Sequence, residues 1–191
     1  MKTVSVTIVG ITPMLQHKFG AAAEVGGTTR AMKMNNETPR EAAESVAYIA
    51  PDGTHYFSAA AISRCMAAAG SNHKMRGSRK SLRFVVPSAV RLNTDTVTIL
   101  DEAGVPVTRC DVDSRPVTIP ATKGRIMRHR PRYEKWSASF DIVVNDAVLD
   151  VSTAHTLLNE AGVGCGIGDF RPEKSGPFGQ FRVTKWDESA S

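Results

Sequence analysis

Three cysteines in 191 residues, at 65, 110 and 165, are too few and too far apart for a thiolate metal site. No CxxC pair exists, so they read as reduced, buried thiols of a cytosolic protein. Long apolar runs are missing too: none reaches the ~20 residues a membrane span needs, and no membrane partner is expected. The opening MKTVSVTIVG alternates polar and apolar residues, which is a strand pattern and lacks the continuous apolar core of a signal peptide. These absences predict a cytoplasmic protein. The five histidines make no HxxxH or HExxH spacing, and no GxxxxGK[ST] occurs. Metal-dependent hydrolysis and nucleoside-triphosphate binding therefore have no support, and no metal or cofactor is expected.

Acid is absent from two whole windows. Gly53 to Thr94 holds seven basic residues and no Asp or Glu: Arg64, Lys74, Arg76, Arg79, Lys80, Arg83 and Arg91. Ser114 to Tyr133 holds six: Arg115, Lys123, Arg125, Arg128, Arg130 and Arg132. The windows carry +13 and the rest of the chain −8, for a net charge of +5. Such segregation is the footprint of a polyanion site, the alternative being a solvated basic face. Lys74, Arg76, Arg79 and Lys80 are candidate nucleic-acid contacts in the first window, and Arg125, Arg128, Arg130, Arg132 and Tyr133 in the second. In an extended strand Arg128, Arg130 and Arg132 share a face. Arginine forks suit phosphates and aromatic rings stack on bases. Trp136 reads as core rather than as a base platform.

Patterning predicts a strand over Thr3–Ile11 and a short helix starting at Thr38-Pro39, with Thr38 as its cap. The tract between them is loop-like, with mobility expected around Met32-Lys-Met34. Pro51-Asp-Gly53 predicts a turn between Tyr48-Ile49 and His55–Phe57. Ser58 is expected to cap a helix over 59–69 that Gly70 ends. Residues 71–82 read as a basic loop or irregular helix, and 84–87 and 89–92 as strand pieces. A hairpin is expected across Asp101–Gly104, with strands over 117–120, 124–129 and 136–144, the last two paired with each other. A helix over Val151–Ala161, capped by Asp150 or Ser152, leads to a final strand over Phe178–Trp186. Stripped of insertions, the order is β-α-β-β-α-β, an α+β ferredoxin-like (RRM-like) core with β-hairpin insertions. One domain over 1–191 is expected, with insertions at 14–57 and 93–135 and a frayed tail at 187–191.

Between the last helix and the last strand lies GVGCGIGDFRPEKSGPFGQF, residues 162–181, with glycines at 162, 164, 166, 168, 176 and 179. A Rossmann fingerprint would follow the first strand and open a helix, so that reading fails on context. Glycine lets backbone N–H groups come close to a ligand and form a phosphate cradle. Gly166, Gly168, Arg171 and Lys174 are the candidate contacts here, with Asp169 and Glu173 interrupting the basic run; the alternative is that the glycines only allow a tight turn. A ferredoxin-like domain with a glycine-rich loop at this place resembles the RAMP superfamily, which includes CRISPR-associated subunits that coat guide RNA and endoribonucleases that process it. GIGDFRPEKSGPFGQF, ITPMLQHK (11–18) and RPRYEKW (130–136) are also similar to segments of uncharacterised phage-encoded proteins of similar length.

The resemblance implies a non-enzymatic binder of single-stranded RNA or DNA, able to assemble side by side along the strand as a homo-oligomer or filament. It also implies an alternative, a metal-independent endoribonuclease. His17, at the end of the first-strand region, would move the 2′-hydroxyl proton, and Lys18 would stabilise the phosphorane. A third reading is a phage structural or interaction protein whose basic windows meet an acidic partner.

Overall fold

A computed structural model of the chain describes residues 1–18, 37–118 and 123–188. The tract around Met32, part of the 117–120 strand and the last three residues lie outside the described residues. Strand β1 (Lys2–Gly10) buries Val4, Val6 and Ile8 on alternate positions, as its pattern requires. There follow β2 (Met14–Leu15), α1 (Pro39–Ser45), β3 (Tyr56–Ser58) and α2 (Ala60–Ala69). Next come α3 (Val86–Ala89), β4 (Val90–Leu92), β5 (Thr96–Thr98), β6 (Asp111–Thr118) and β7 (Arg125–Tyr133). The chain then forms β8 (Ser137–Val144), α4 (Val151–Gly164) and β9 (Phe181–Glu188).

The main sheet has the order β4-β8-β1-β9 with every pair antiparallel. With α2 and α4 this is the expected α+β ferredoxin-like core, β1-α2-β4-β8-α4-β9. Helix α2 buries Ile62, Cys65, Met66 and Ala69, and α4 buries Ala154, Leu157, Leu158 and Ala161. Both sets follow the i, i+3, i+4, i+7 spacing of one helical face. The other sheet face is polar: Ser5 donates to Asp141 at 2.6 Å, and the Thr7 and Ser139 hydroxyls lie 3.0 Å apart. By the strand register Arg91 and Lys185 join this face, and no aromatic ring does among the described residues. RRM domains stack bases on sheet aromatics, so this open face lacks that mode of binding.

A second sheet, β2-β7-β6, and a two-stranded ladder, β3-β5, flank the core. A buried polar network joins them. Gln16 donates to Tyr56 O at 2.7 Å and accepts from Tyr48 N–H and Tyr133 Oη, each at 3.1 Å. The Tyr133 hydroxyl has one hydrogen, which goes to Gln16, so His55 Nδ1, 2.7 Å away, is its donor.

Several expectations are corrected. Residues 84–87 are not a strand: Leu82, Val85, Val86 and Ala89 are buried at helical spacing, in a 3₁₀ turn (Leu82–Phe84) and α3. Strand β7 pairs with β6, not with β8. Its chain bends at Glu134-Lys135, and β8 enters the main sheet beside β1. The N-cap of α2 is Ala59, although Ser58 Oγ still accepts from Ala60 N–H at 3.3 Å. Thr38 forms a complete capping box with Glu41 at the start of α1.

Candidate nucleic-acid interface

Helix α4 ends with Cys165 and Gly166 N–H both bonded to Ala161 O, at 2.9 and 2.8 Å. The glycine-rich loop then lies edge-on against β2. Asp169 N–H donates to Leu15 O at 2.7 Å, Gly179 N–H to Pro13 O at 2.8 Å, and Ile167 N–H to Gly179 O at 2.9 Å. Gly168, at φ +81°, sits where a Cβ would run into Leu15 O. The close approach these glycines allow is to the protein's own backbone. Most loop amides, including that of Gly166, are committed inside the molecule, and the sequence-based cradle is correspondingly reduced.

The loop acids fasten the loop rather than interrupt a ligand site. Asp169 Oδ2 lies 2.7 Å from Arg130 Nε, and the Arg130 side chain is only 6% exposed. The pair is an ion contact without hydrogen-bond alignment, since neither atom has a hydrogen-bond partner. Glu173 takes Arg171 at 2.5 Å, while Arg171 Nη1 donates to Gly168 O at 3.0 Å. Arg115 stacks 4.7 Å above the Phe178 ring and grips buried Asp113 at 2.7 and 2.5 Å. The β6–β7 ribbon is thereby tied to the glycine loop.

Arg128, Arg130 and Arg132 do share a face, but the β6 register sets Asp113 opposite Arg130 and Asp111 opposite Arg132. Arg132 is also held by Glu134 at 2.6 Å. Arg130 and Tyr133 are interior residues: Arg130 is engaged by Asp169, and Tyr133, 3% exposed, is committed to the polar network. Neither is open to a nucleotide, a correction to their proposed contacts. Trp136 is core, donating to Thr12 O at 2.9 Å. Arg125 and Arg128 make no ion pair among the described residues.

A cleft of about 460 Å³ opens where the loop, the end of β2 and α2 meet. His17, Ser58, Arg64, Gly166, Gly168, Asp169 and Arg171 line it. Arg64 is exposed and makes no ion pair among the described residues. His17 has its pKa lowered, first by partial burial and then by the nearby Arg128, with Arg130 adding and Asp169 opposing. Arg128 does not line the cleft but is close enough to act on the charge of His17. Lys18 does not line the cleft, but its Nζ lies 5.9 Å over the ring of Tyr48, which does. Cys65 also lines the cleft and donates its thiol hydrogen to Ala161 O at 3.2 Å. The neighbouring Cys165 thiol first, and burial second, push the Cys65 pKa up, while Cys65 in turn draws that of Cys165 down.

The structure thus brings His17, Gly166, Gly168 and Arg171 together, with Arg128 nearby. Lys74, Arg76, Arg79 and Lys80 sit outside the cleft lining on a separate hairpin, and exposed Lys174 also lies outside it. Arg64 was missing from the sequence-based contacts. Its signal was available, since Ala60, Ala61 and Arg64 form the surface stripe of a helix whose other face is apolar. Among the described residues no three or more His, Cys, Asp or Glu side chains are grouped to hold a metal ion. No described helix is long and apolar enough to cross a membrane.

No protein-family model and no curated protein matches the chain. Among solved structures it is similar to a chain of "Cryo-EM structure of the Type III-B Cmr-beta bound to cognate target RNA". The TM-score is 0.57 at 12% identity, with 98% of this chain and 60% of that chain covered. The chain thus spans three fifths of the length of the one it matches. The likeness is one of fold, and it agrees with a ferredoxin-like α+β core.

Proposed function

We propose that this chain binds single-stranded RNA along its phosphate backbone, at the cleft between α2 and the glycine-rich loop. The carrying observation is the convergence on that cleft of Arg64 and His17, with Arg128 near enough to act on His17 and neither arginine in an ion pair among the described residues. Where Arg130, Arg132 and Arg171 have acids, Arg64 and Arg128 have none among the described residues, which is the state of a cation kept for an anionic ligand. The shared fold with a chain from a target-RNA-bound assembly favours RNA over DNA. In this reading the chain is a side-by-side subunit of a CRISPR-associated or phage-encoded RNA–protein complex. Recognition is by charge, with little base readout.

Titration of labelled oligouridine at increasing salt tests it. Affinity is expected to fall steeply as salt rises, because bound counterions are released on association. No binding at low salt, or binding indifferent to salt, would overturn it. One feature favours a second reading: partial burial first, then Arg128, lowers the pKa of His17 in the same cleft, which favours its neutral, proton-accepting form. As a base it would take the 2′-hydroxyl proton, the 2′-oxygen would attack the adjacent phosphorus, and the 5′-oxygen would leave. Strand cleavage in EDTA that disappears in His17→Ala, with binding retained, would establish that reading.

A further inference from the structure

Between α2 and α3 the chain makes a small hairpin outside the cleft lining. Leu82 N–H donates to His73 O at 2.9 Å, Lys74 bridges Ser81, and Met75 N–H donates to Lys80 O at 2.8 Å. Gly77 takes φ +72° at the tip, where the chain reverses. The base is fastened: Met75 packs on the core, Ser81 Oγ donates to Gly70 O at 2.9 Å, and His73 Nε2 lies 2.5 Å from Glu160. Lys74, Arg76, Arg79, Lys80 and, just beyond, Arg83 are all exposed, and none makes an ion pair among the described residues.

Phe84 stands directly after them and is 67% exposed. Its position follows from the 3₁₀ turn, which has three residues per turn. Leu82 and Val85 enter the core at i and i+3, so Arg83 and Phe84 are left outside. Phe170 and Phe178 lie against each other, and Arg115 covers Phe178, whereas no ring or cation covers Phe84 among the described residues. A single exposed ring is ordinary on a protein surface. A bare ring beside five unpaired cations is a different surface. The cations draw a polyanion, and the flat ring offers its face to that polymer's bases. An acidic polypeptide would meet the charge but would leave the ring without a stacking partner.

We propose that Phe84 is a base-stacking platform, and that Lys74, Arg76, Arg79, Lys80 and Arg83 form the phosphate clamp of a second single-stranded nucleic-acid contact, apart from the cleft. The proposal rests on the RNA-binding reading and adds a residue and a contact type to it. Phe84→Ala is expected to weaken oligouridine binding roughly five- to hundred-fold with an unchanged melting temperature. Phe84→Trp is expected to bind as the wild type does and to lose indole fluorescence on saturation with oligouridine, but not with heparin, which has charge without bases. Wild-type protein that binds no RNA overturns both readings. Wild-type binding with Phe84→Ala unaffected and the tryptophan emission unchanged overturns the Phe84 site alone. A concentration-dependent dimer that Phe84→Ala abolishes, with RNA affinity unaltered, would assign the surface to a second copy of this chain instead.

Discussion

Arg130 shows how one side chain changes meaning between a sequence and a fold. On the strand pattern it belongs with Arg128 and Arg132, but its side chain is buried at 6% exposure and set against Asp169. Removing one member of a buried ion pair leaves the other charge desolvated and unmatched. Arg130→Ala is expected to cost about 2 kcal/mol in chemical denaturation, the partly exposed carboxylate keeping the figure below that of a fully buried pair. Arg130→Met combined with Asp169→Leu should recover most of it, because neither charge is then stranded; a double variant as unstable as the single one would contradict the pairing. Gly168 is the second case. Its positive φ and the approach of Leu15 O both exclude a β-branched side chain. Gly168→Val is expected to lose about 2 kcal/mol or more of stability before any effect on RNA is visible. A variant with native melting behaviour and lost affinity would restore the loop as a direct phosphate cradle.

Elements differ in how far their own residues specify them. Strand β1 and helices α2 and α4 were legible because each repeats one period along a buried face, and period is a local property. The Thr38 cap of α1 was legible too, from Thr38-Pro39 alone, whereas the reciprocal Glu41 bond came only with the structure. The β6–β7 pairing was not, because either β6 or β8 could follow the alternation of β7, and the choice was made by β1, whose edge takes β8. The acids opposing the arginines were hidden with it, since Asp111 and Asp113 become neighbours only once the register is known. Likewise, no spacing announces that the hydroxyl of Tyr133 bonds Gln16 and His55. That network links β2, β3 and β7 and carries a pH signature. Burial lowers the pKa of His55 from 6.5, and burial together with Arg128 lowers that of His17. Just below 6.5 the unfolded chain then binds more protons than the folded one. Stability is therefore full above 6.5 and is lost as pH falls from there through the folded-state values. Melting temperatures are expected to drop on that acid limb, and His55→Gln with His17→Gln should flatten it. An acid limb unchanged in the double variant would place its origin elsewhere.

At the scale of the molecule, net charge says less than which charges are already matched. The second basic window is partly neutralised by acids just outside it and in the glycine-rich loop: Arg115 by Asp113, Arg132 by Glu134 and Arg130 by Asp169. The cations of the first window lie in the cleft, through Arg64, on the hairpin after α2 and the turn that follows it, and on the open sheet face, through Arg91. Unmatched cations release counterions from RNA when they bind it, and matched ones release few, so the two kinds are separable by salt. For a single strand the slope of log affinity against log salt is about −0.7 for each phosphate neutralised. Arg64→Ala and Arg128→Ala are each expected to make that slope shallower by about 0.7, and together by about twice that. The charge-neutral double change of Arg130→Met with Asp169→Leu is expected to leave the slope where it was, since its two charges cancel within the protein. Equal slopes for the wild type and Arg64→Ala would remove the cleft from the path of the RNA. A shallower slope in the Arg130 and Asp169 double variant would mean that the ion pair opens on binding and that Arg130 joins the phosphates after all.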